Sequence, residues 1–488
     1  VLNLEINEKL LQTVTATVLA VIAAQNGDKT ICPDIAAPVS STSLPGSSPN
    51  SCGVFNDVES AVGAAQLAYG QLAMSSLEKR GEMIEAIRNK IHANVNTLAK
   101  MELEETGFGR LENKIEKLFV TLEKTPGIED VMPKIFSGDK GLSIIEYRSF
   151  GLAACITPST APVGTVAHNA ICMIAAGNTA VISPHPNAIK CTLKTVELVN
   201  QAIIEVGGIP NIITAFKDVS IENAQKLMNH SQISMNVATG GPGVVKAALS
   251  CGKKAVGAGA GNPPCLVDET ADIVKAAQDI VNGNSNENGI DCVGEKSVLA
   301  MENIADALIQ EMCKNGAYLL KSNQIDDLVK LITLPDGKPN VKYVGKNANI
   351  ILKDIGINID DSYRSIIFEA PADHQVVMEE YLMPVLPIVR IKDFESGVNL
   401  AMKIEGGRRH TAVIHSKNID HMARYAKMLS TTILVKNGSS YNGAGINGEG
   451  HITMTIAGPT GDGLTTPRTF TRPMRCALMG NVGLRSAL

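Results

Sequence analysis

Gly151-Leu-Ala-Ala-Cys-Ile156 runs directly into Thr157-Pro-Ser-Thr-Ala-Pro162. A short apolar run followed by a proline-bounded polar turn reads as a buried strand and its loop, with a helix expected from about Val163. The same unit repeats along the chain. Thr179-Ala-Val-Ile182 ends at Ser183-Pro-His185-Pro, Ile212-Ile-Thr-Ala is a third strand, and Met235-Asn-Val-Ala-Thr239 is a fourth that stops at Gly240-Gly-Pro-Gly243. A helix over 244–250 follows, then the strand Lys253-Lys-Ala-Val256 and the turn Gly257-Ala-Gly-Ala-Gly261. Short strands alternating with helices predict an α/β fold on a right-handed, doubly wound parallel sheet. Ligands of such sheets lie at the carboxyl ends of the strands. Thr239-Gly240-Gly241 is therefore a candidate dinucleotide approach, where bare backbone meets a helix N-terminus. It is not a GxGxxG fingerprint, and tight turns of an ordinary α/β protein explain it as well.

Outward from this sheet, a second α/β segment runs from residue 268 to 440. It holds a polar loop over 285–296, a helix over 303–314, the strand Val385-Leu-Pro-Ile-Val389, a helix over 397–402, and two strands, His410-Thr-Ala-Val-Ile-His415 and Thr432-Ile-Leu-Val435. On the other side, helices are expected from Asp57, from Ser76 and over 95–105, within a first α/β domain of 54–267. Residues 140–150 carry an exposed strand or hairpin whose unpaired edges a symmetric subunit contact would cover. Residues 441–488 are expected to return to the first domain or to that edge.

Residues 4–24 place Ile6, Leu10, Val14, Val18 and Ile22 four apart, a helical stripe. Residues 26–53 are rich in Pro and Ser and cannot build a core. An amphipathic helix over 1–25 on such a linker is either docked on the body or a tethered module for a partner's groove. Glu5, Glu8 and Lys9 do not make a basic leader, so export is not expected.

The 488 residues are 44% hydrophobic and 19% charged with net charge −5, which gives no electrostatic case for nucleic acid. No apolar run is a clear membrane span. The ten cysteines have no metal or disulfide spacing, which favours a reducing, cytoplasmic compartment.

One cysteine stands out. Ser285-Asn-Glu-Asn-Gly-Ile-Asp-Cys292-Val-Gly-Glu-Lys296 is a polar loop ending in a thiol. At the mouth of a helix, unpaired N–H groups would favour the reactive thiolate. An inert buried cysteine is the alternative. Glu295 and Lys296 could cap the helix after the loop. Asp291 would raise the thiol pKa unless it points away from the sulfur.

Taken together and in order, these segments resemble the aldehyde dehydrogenase superfamily over about residues 54–476. The residues that carry the likeness are Ile156-Thr-Pro-Ser-Thr-Ala-Pro162, Ala175-Ala-Gly-Asn-Thr-Ala-Val-Ile-Ser-Pro-His-Pro186, Gly207-Gly-Ile-Pro210, Thr239-Gly-Gly241, Cys292-Val-Gly-Glu-Lys296, Glu379-Glu-Tyr-Leu-Met-Pro-Val-Leu-Pro-Ile-Val-Arg390 and Thr455-Ile-Ala-Gly-Pro-Thr-Gly461. The chain is most similar to the coenzyme-A-acylating branch found as cargo of bacterial microcompartments. The resemblance implies two doubly wound domains, a cofactor domain (54–267) and a catalytic domain (268–440), plus a small β oligomerisation arm. It implies Cys292 as nucleophile, with its N–H and Thr160 as oxyanion donors, and NAD and coenzyme A sharing one cleft. Cofactor contacts would come from Thr157, Pro158, Ser183, His185, Thr239, Gly240, Gly241, Gly257, Gly259 and Glu380.

Hydrolytic relatives carry a water-activating glutamate where this chain reads Gly257-Ala-Gly-Ala-Gly261. Without a placed base, attack by water loses a factor of about 10² to 10⁴. The expected activity is oxidation of a short-chain aldehyde to acyl-CoA. Hydrolytic oxidation to the free acid and a catalytically weak cargo protein are the rivals. The resemblance also implies a homo-dimer or homo-tetramer, and shell proteins of a microcompartment as partners of residues 1–25. Glu380 otherwise reads as a solvated helix carboxylate, and His168, His230, His374, His410, His415 and His451 as structural.

Overall fold

The computed structural model describes residues 52–480. The expected N-terminal helix, most of the linker and the last eight residues lie outside the described residues.

The helices form where caps and apolar stripes coincide. Asp57 accepts from the Ser60 N–H at 2.9 Å ahead of Val58–Leu72, and Ser76 accepts from the Lys79 N–H at 3.1 Å ahead of Leu77–His92. The helix Pro162–Ala176 is buried on every side, begins with a proline and ends at Gly177, which takes the left-handed conformation (φ 78°). It is the hub of the first core, against Met83, Ile87, Leu118 and Val199.

Eight strands precede the crossing between the sheets: β1 (Val54–Phe55), β2 (Lys134–Gly138), β3 (Gly141–Ser149), β4 (Leu152–Ile156), β5 (Thr179–Ser183), β6 (Ile213–Phe216), β7 (Ile233–Thr239) and β8 (Lys254–Ala258). The first sheet has the order β1-β6-β5-β4-β7-β8, parallel throughout. From β4 the chain steps outward through β5 and β6, then returns to β7 on the other flank of β4. The carboxyl ends of β4 and β7 therefore flank a switch point, where a crevice opens.

The second sheet comprises β9 (Pro264–Val267), β10 (Ser297–Met301), β11 (Ala317–Leu319), β12 (Ser365–Glu369), β13 (Val385–Ile391), β14 (Thr411–His415) and β15 (Ile433–Lys436). Its order is β11-β12-β13-β10-β9-β14-β15, also parallel. Pro264–Val267 thus pairs with the second sheet, not the first. The chain crosses over at residues 259–263, a few residues before the expected boundary at 267/268.

β16 (Ile456–Ala457) and β17 (Gly463–Leu464) form a short hairpin on the returning tail. The tail then enters β18 (Thr471–Met479), which pairs antiparallel with β3, and β3 pairs with β2. This three-stranded arm carries exposed Ile135, Phe136 and Met479. The expected hairpin is thus completed by the chain's own tail. The nine described cysteines are all free, and none of the described helices is long and apolar enough to cross a membrane.

Candidate active site

The loop before β10 is built from residues in uncommon conformations. Glu287, Asn288 and Gly289 all have positive φ (51°, 54° and 71°), and a Cβ on Gly289 would run into the Met383 carbonyl. Three such residues in succession are costly unless the surroundings fix them. Asn288 is held on both ends of its amide: Arg110 Nε donates to its Oδ1 at 2.7 Å, and its Nδ2 donates to the Gly345 carbonyl at 2.9 Å. Arg110 is itself clamped by two bonds to Asp361, at 2.7 and 2.8 Å. The buried Lys296 ammonium donates to the carbonyls of Gly289 (2.6 Å) and Asp291 (3.1 Å). These bonds anchor the chain on either side of Cys292.

Beneath the loop lies a charge cluster from the helix Leu111–Lys124. Lys114 pairs with Glu102 at 2.7 Å and Glu287 at 3.0 Å, and Lys117 pairs with Asp291 at 2.6 Å. Burial pushes the Glu287 carboxyl up to about 7 against the pull of the two lysines. Burial would lower Lys117, but Asp291 and Glu287 beside it outweigh that and raise its pKa. Asp291 is turned toward Lys117 and Asn286, whose Nδ2 donates to it at 2.8 Å.

Cys292 lies in a turn, and Val293 to Lys296 lead from it into β10, so no helix starts at the thiol. The expected helix-mouth activation is absent. Burial, with Glu380 and Asp291 adding to it, pushes the thiol up to about 12. Glu295 and Lys296 likewise cap no helix. Glu295 is buried and accepts from the Ser440 N–H (2.9 Å) and hydroxyl (2.7 Å), and burial pushes its carboxyl up to about 7.

The cavity beside Cys292 measures about 280 Å³. One group of its walls comes from the carboxyl ends of the first sheet: Pro158 and Thr160 after β4, Thr239, Gly240 and Gly241 after β7, Gly259 after β8, and His185. Burial lowers the His185 pKa. The other group comes from the Cys292 loop, the segment after Glu380 and the returning tail, and includes Ile290, Asp291, Leu382, Ile446, Ile452 and Met454, with Lys117. Cys292 and Glu380 also line it.

Cβ atoms on Gly240 and Gly241 would meet nothing within 4 Å, so a ligand can reach this backbone at the start of the helix Pro242–Leu249. Glu380 is half-buried and follows a short helix, Gln375–Met378, rather than sitting on one; its Oε1 accepts from the Gly261 N–H at 3.0 Å. Burial pushes its carboxyl up to about 7. The solvated helix carboxylate is thereby ruled out. These residues fit a dinucleotide lying over the end of β7.

Three of the anticipated residues do not face the cavity. Thr157 and Ser183 are buried against each other, the Thr157 hydroxyl donating to the Ser183 carbonyl at 3.2 Å. A Cβ on Gly257 would sit 2.7 Å from a Val245 methyl, so this position packs β8 onto the helix Pro242–Leu249.

His410 differs from the purely structural reading. Its ring lies against Gly261, where an added Cβ would fall 2.5 Å from the Cys292 carbonyl oxygen and 3.0 Å from the imidazole. Its Nδ1 meets the Thr411 hydroxyl at 2.9 Å, and its buried Nε2 has no partner among the described residues. Burial lowers it to about 4, so the ring is neutral. No local pattern marks this histidine; its nearness to Cys292 arises only on folding. Among the others, His168 and His415 are buried and His230 and His374 accept from backbone N–H groups, in keeping with a structural role. His168 for instance is sealed in the central helix and lowered to about 4 by burial.

Comparison with known proteins adds four findings. Residues 51–450 match the model of a family described as the aldehyde dehydrogenase family. A CoA-propanoylating propanal dehydrogenase of Salmonella typhimurium is 41% identical over 438 residues, covering 90% of this chain and 94% of that protein. Propionaldehyde dehydrogenase of Rhodopseudomonas palustris, solved with CoA bound and a cysteine acylated, has a TM-score of 0.88 at 45% identity and covers 89% of this chain and 100% of its own. The propionaldehyde dehydrogenase of a Clostridium phytofermentans fucose utilisation microcompartment has a TM-score of 0.87 at 45% identity, with the same coverage. Two solved variants of that enzyme replace a cysteine and a histidine, whose separation in sequence is the same as that of Cys292 and His410 here.

Proposed function

Because the chain belongs to the aldehyde dehydrogenase family, we propose that it is a CoA-acylating aldehyde dehydrogenase, converting a short-chain aldehyde, CoA and NAD to acyl-CoA and NADH. One observation carries the choice of thiol over water as acyl acceptor. The carboxylates lining the cavity are Asp291 and Glu380, and both are engaged, Asp291 by Lys117 and Asn286 and Glu380 by the Gly261 N–H. Residues 257–261 supply no acidic side chain. The position that carries the water-activating glutamate in hydrolytic relatives thus offers no base, and a thioester on Cys292 meets a thiol acceptor with less need of one.

The thiol rests protonated, so as the carbon–sulfur bond forms and the carbonyl π bond opens, its proton passes to the aldehyde oxygen on which charge develops. The Cys292 N–H makes no hydrogen bond among the described residues and serves the oxyanion, with Thr160 on the facing wall as second donor. NAD, when bound, would accept the hydride from the thiohemiacetal carbon, the hydroxyl proton passing to water. Gly240 and Gly241 would receive its pyrophosphate and Glu380 its nicotinamide ribose. The CoA sulfur then attacks the Cys292 thioester as its S–H proton is lost, the same donors hold the second oxyanion, and the bond to Cys292 breaks with the departing sulfur taking that proton.

The β2–β3–β18 arm, with its exposed apolar side chains, is the face of a homo-dimer or homo-tetramer. The relative from a microcompartment and the amphipathic pattern of residues 1–25 support encapsulation, with shell proteins as partners. The activity is tested by the fate of the acyl group on Cys292 with and without CoA. Acyl-CoA is expected, and free acid formed equally fast in both cases would exclude this function.

A further inference from the structure

We propose that the aldehyde accepted by this site carries a hydroxyl group close to its carbonyl carbon, and that Asp291 and Lys117 recognise it. The inference rests on the activity proposed above and names its substrate class.

The wall beside Cys292 is largely apolar, from Ile290, Ile446, Ile452 and Met454, and its Thr165 and Thr453 hydroxyls are bonded to Ala161 and Thr465, yet it includes both members of the Lys117–Asp291 ion pair. The two side chains are 10% and 16% exposed. Keeping charges in such a wall costs desolvation that an alkyl tail would not return. Both groups also retain hydrogen-bonding capacity. Lys117 has three N–H donors, of which Asp291 takes one at 2.6 Å, while Glu287 lies 3.8 Å away. Each Asp291 oxygen has one described donor, Lys117 on Oδ1 and Asn286 on Oδ2, and each keeps a further lone pair.

Charge selects among polar tails. An anionic tail would meet the Asp291 carboxylate, and a cationic tail the Lys117 ammonium. A hydroxyl suits both, donating to Asp291 and accepting from Lys117. The pair is fixed in place, because Lys296 holds the Asp291 carbonyl and Asn286 holds its carboxylate. A hydroxyl-bearing aldehyde would thus find preorganised partners immediately beside the nucleophile.

The test compares propanal, 2-hydroxypropanal and 3-hydroxypropanal with the full-length enzyme, NAD and CoA, measuring kcat/KM for acyl-CoA formation. The wild type is expected to favour at least one hydroxyaldehyde over propanal. Asp291→Ala should lower that ratio by about tenfold or more, since a site built to bind a hydroxyl loses discrimination with its partner. Asp291→Asn, which keeps an acceptor oxygen, should lower it less. If the pair only clamps the loop, Asp291→Ala reduces all three substrates together and the ratio stays put; that result overturns the inference, as does a wild-type preference for propanal. Should Asp291→Ala lose all turnover, an unchanged ratio in Asp291→Asn overturns it equally. Wild-type protein that makes no acyl-CoA from any of the three would refute the activity itself.

Discussion

Replacing Glu380 by Gln should make Cys292 more reactive toward an alkylating agent while making the enzyme a worse catalyst. The thiol is pushed up to about 12, first by burial and next by the Glu380 charge. At pH 7.5 the thiolate is then only about 3 parts in 10⁵, equivalent to about 6 kcal/mol at 1.36 kcal/mol per pKa unit. A neighbouring carboxylate accounts for about one unit of such a shift. Glu380 is itself held near 7, so its charge acts on the sulfur only above that pH. The assay is the rate of iodoacetamide labelling between pH 6 and 9.5, read on the Cys292 peptide because Cys476 is exposed and other thiols are half-buried. The Glu380→Gln rate should climb about tenfold per pH unit without a plateau, as for a thiol titrating far above the range, and the wild-type rate should climb more shallowly around pH 7, where Glu380 gains its charge. The Glu380→Gln rate should match the wild-type rate at pH 6 and exceed it about tenfold at pH 8.5. A wild-type plateau below pH 8, or equal rates at pH 8.5, would refute the reasoning.

Two other perturbations separate folding from function. Gly241→Ala adds a methyl that meets no protein atom, so Tm should hold within about 2 °C while KM for NAD rises about tenfold; an unchanged KM would mean the dinucleotide does not pass this backbone. Glu295 is held near 7 in the fold against 4.5 when free, so between pH 4.5 and 7 the unfolded chain ionises while the folded one stays protonated. Stability therefore falls as pH rises through that window, by up to about 3 kcal/mol for this group. Glu295→Gln should flatten that part of the pH dependence of Tm, and an identical slope in the variant would contradict the assignment.

The first sheet was legible because each of its main strands is a short apolar run closed by a Gly- or Pro-bearing turn, as at Ile156, Ser183 and Thr239. β9 was harder, since the turn at 259–263 looks like those within one sheet, and only pairing of Cys265 with Val298 and Val413 assigns it to the second. The helix Ile273–Ser285 was not anticipated. Its last turns hold Asn282, Gly283 and Asn284, poor helix formers, and burial of Ala276, Ala277, Ile280 and Val281 decides in its favour.

At the site, Cys292, Thr160, Glu380 and the two glycines were readable as motifs, and the cavity brings them together. The setting of the thiol was not readable. Lys117 reaches Asp291 from 174 residues away, and His410 approaches through Gly261. Lys296 had a local reading that folding replaced, since it anchors the loop rather than capping a helix, whereas Asp291 faces Lys117 and Asn286 and still adds to the rise of the thiol pKa.

The most direct test of the account is the lifetime of the acyl group on Cys292. Enzyme mixed with aldehyde and NAD but no CoA should show, by intact mass, an acyl adduct that outlasts many turnovers of the complete reaction. Added CoA should then discharge it as acyl-CoA at least about 100-fold faster than water does. An adduct lost to free acid at the same rate with or without CoA, or no adduct on Cys292 at all, would contradict the account.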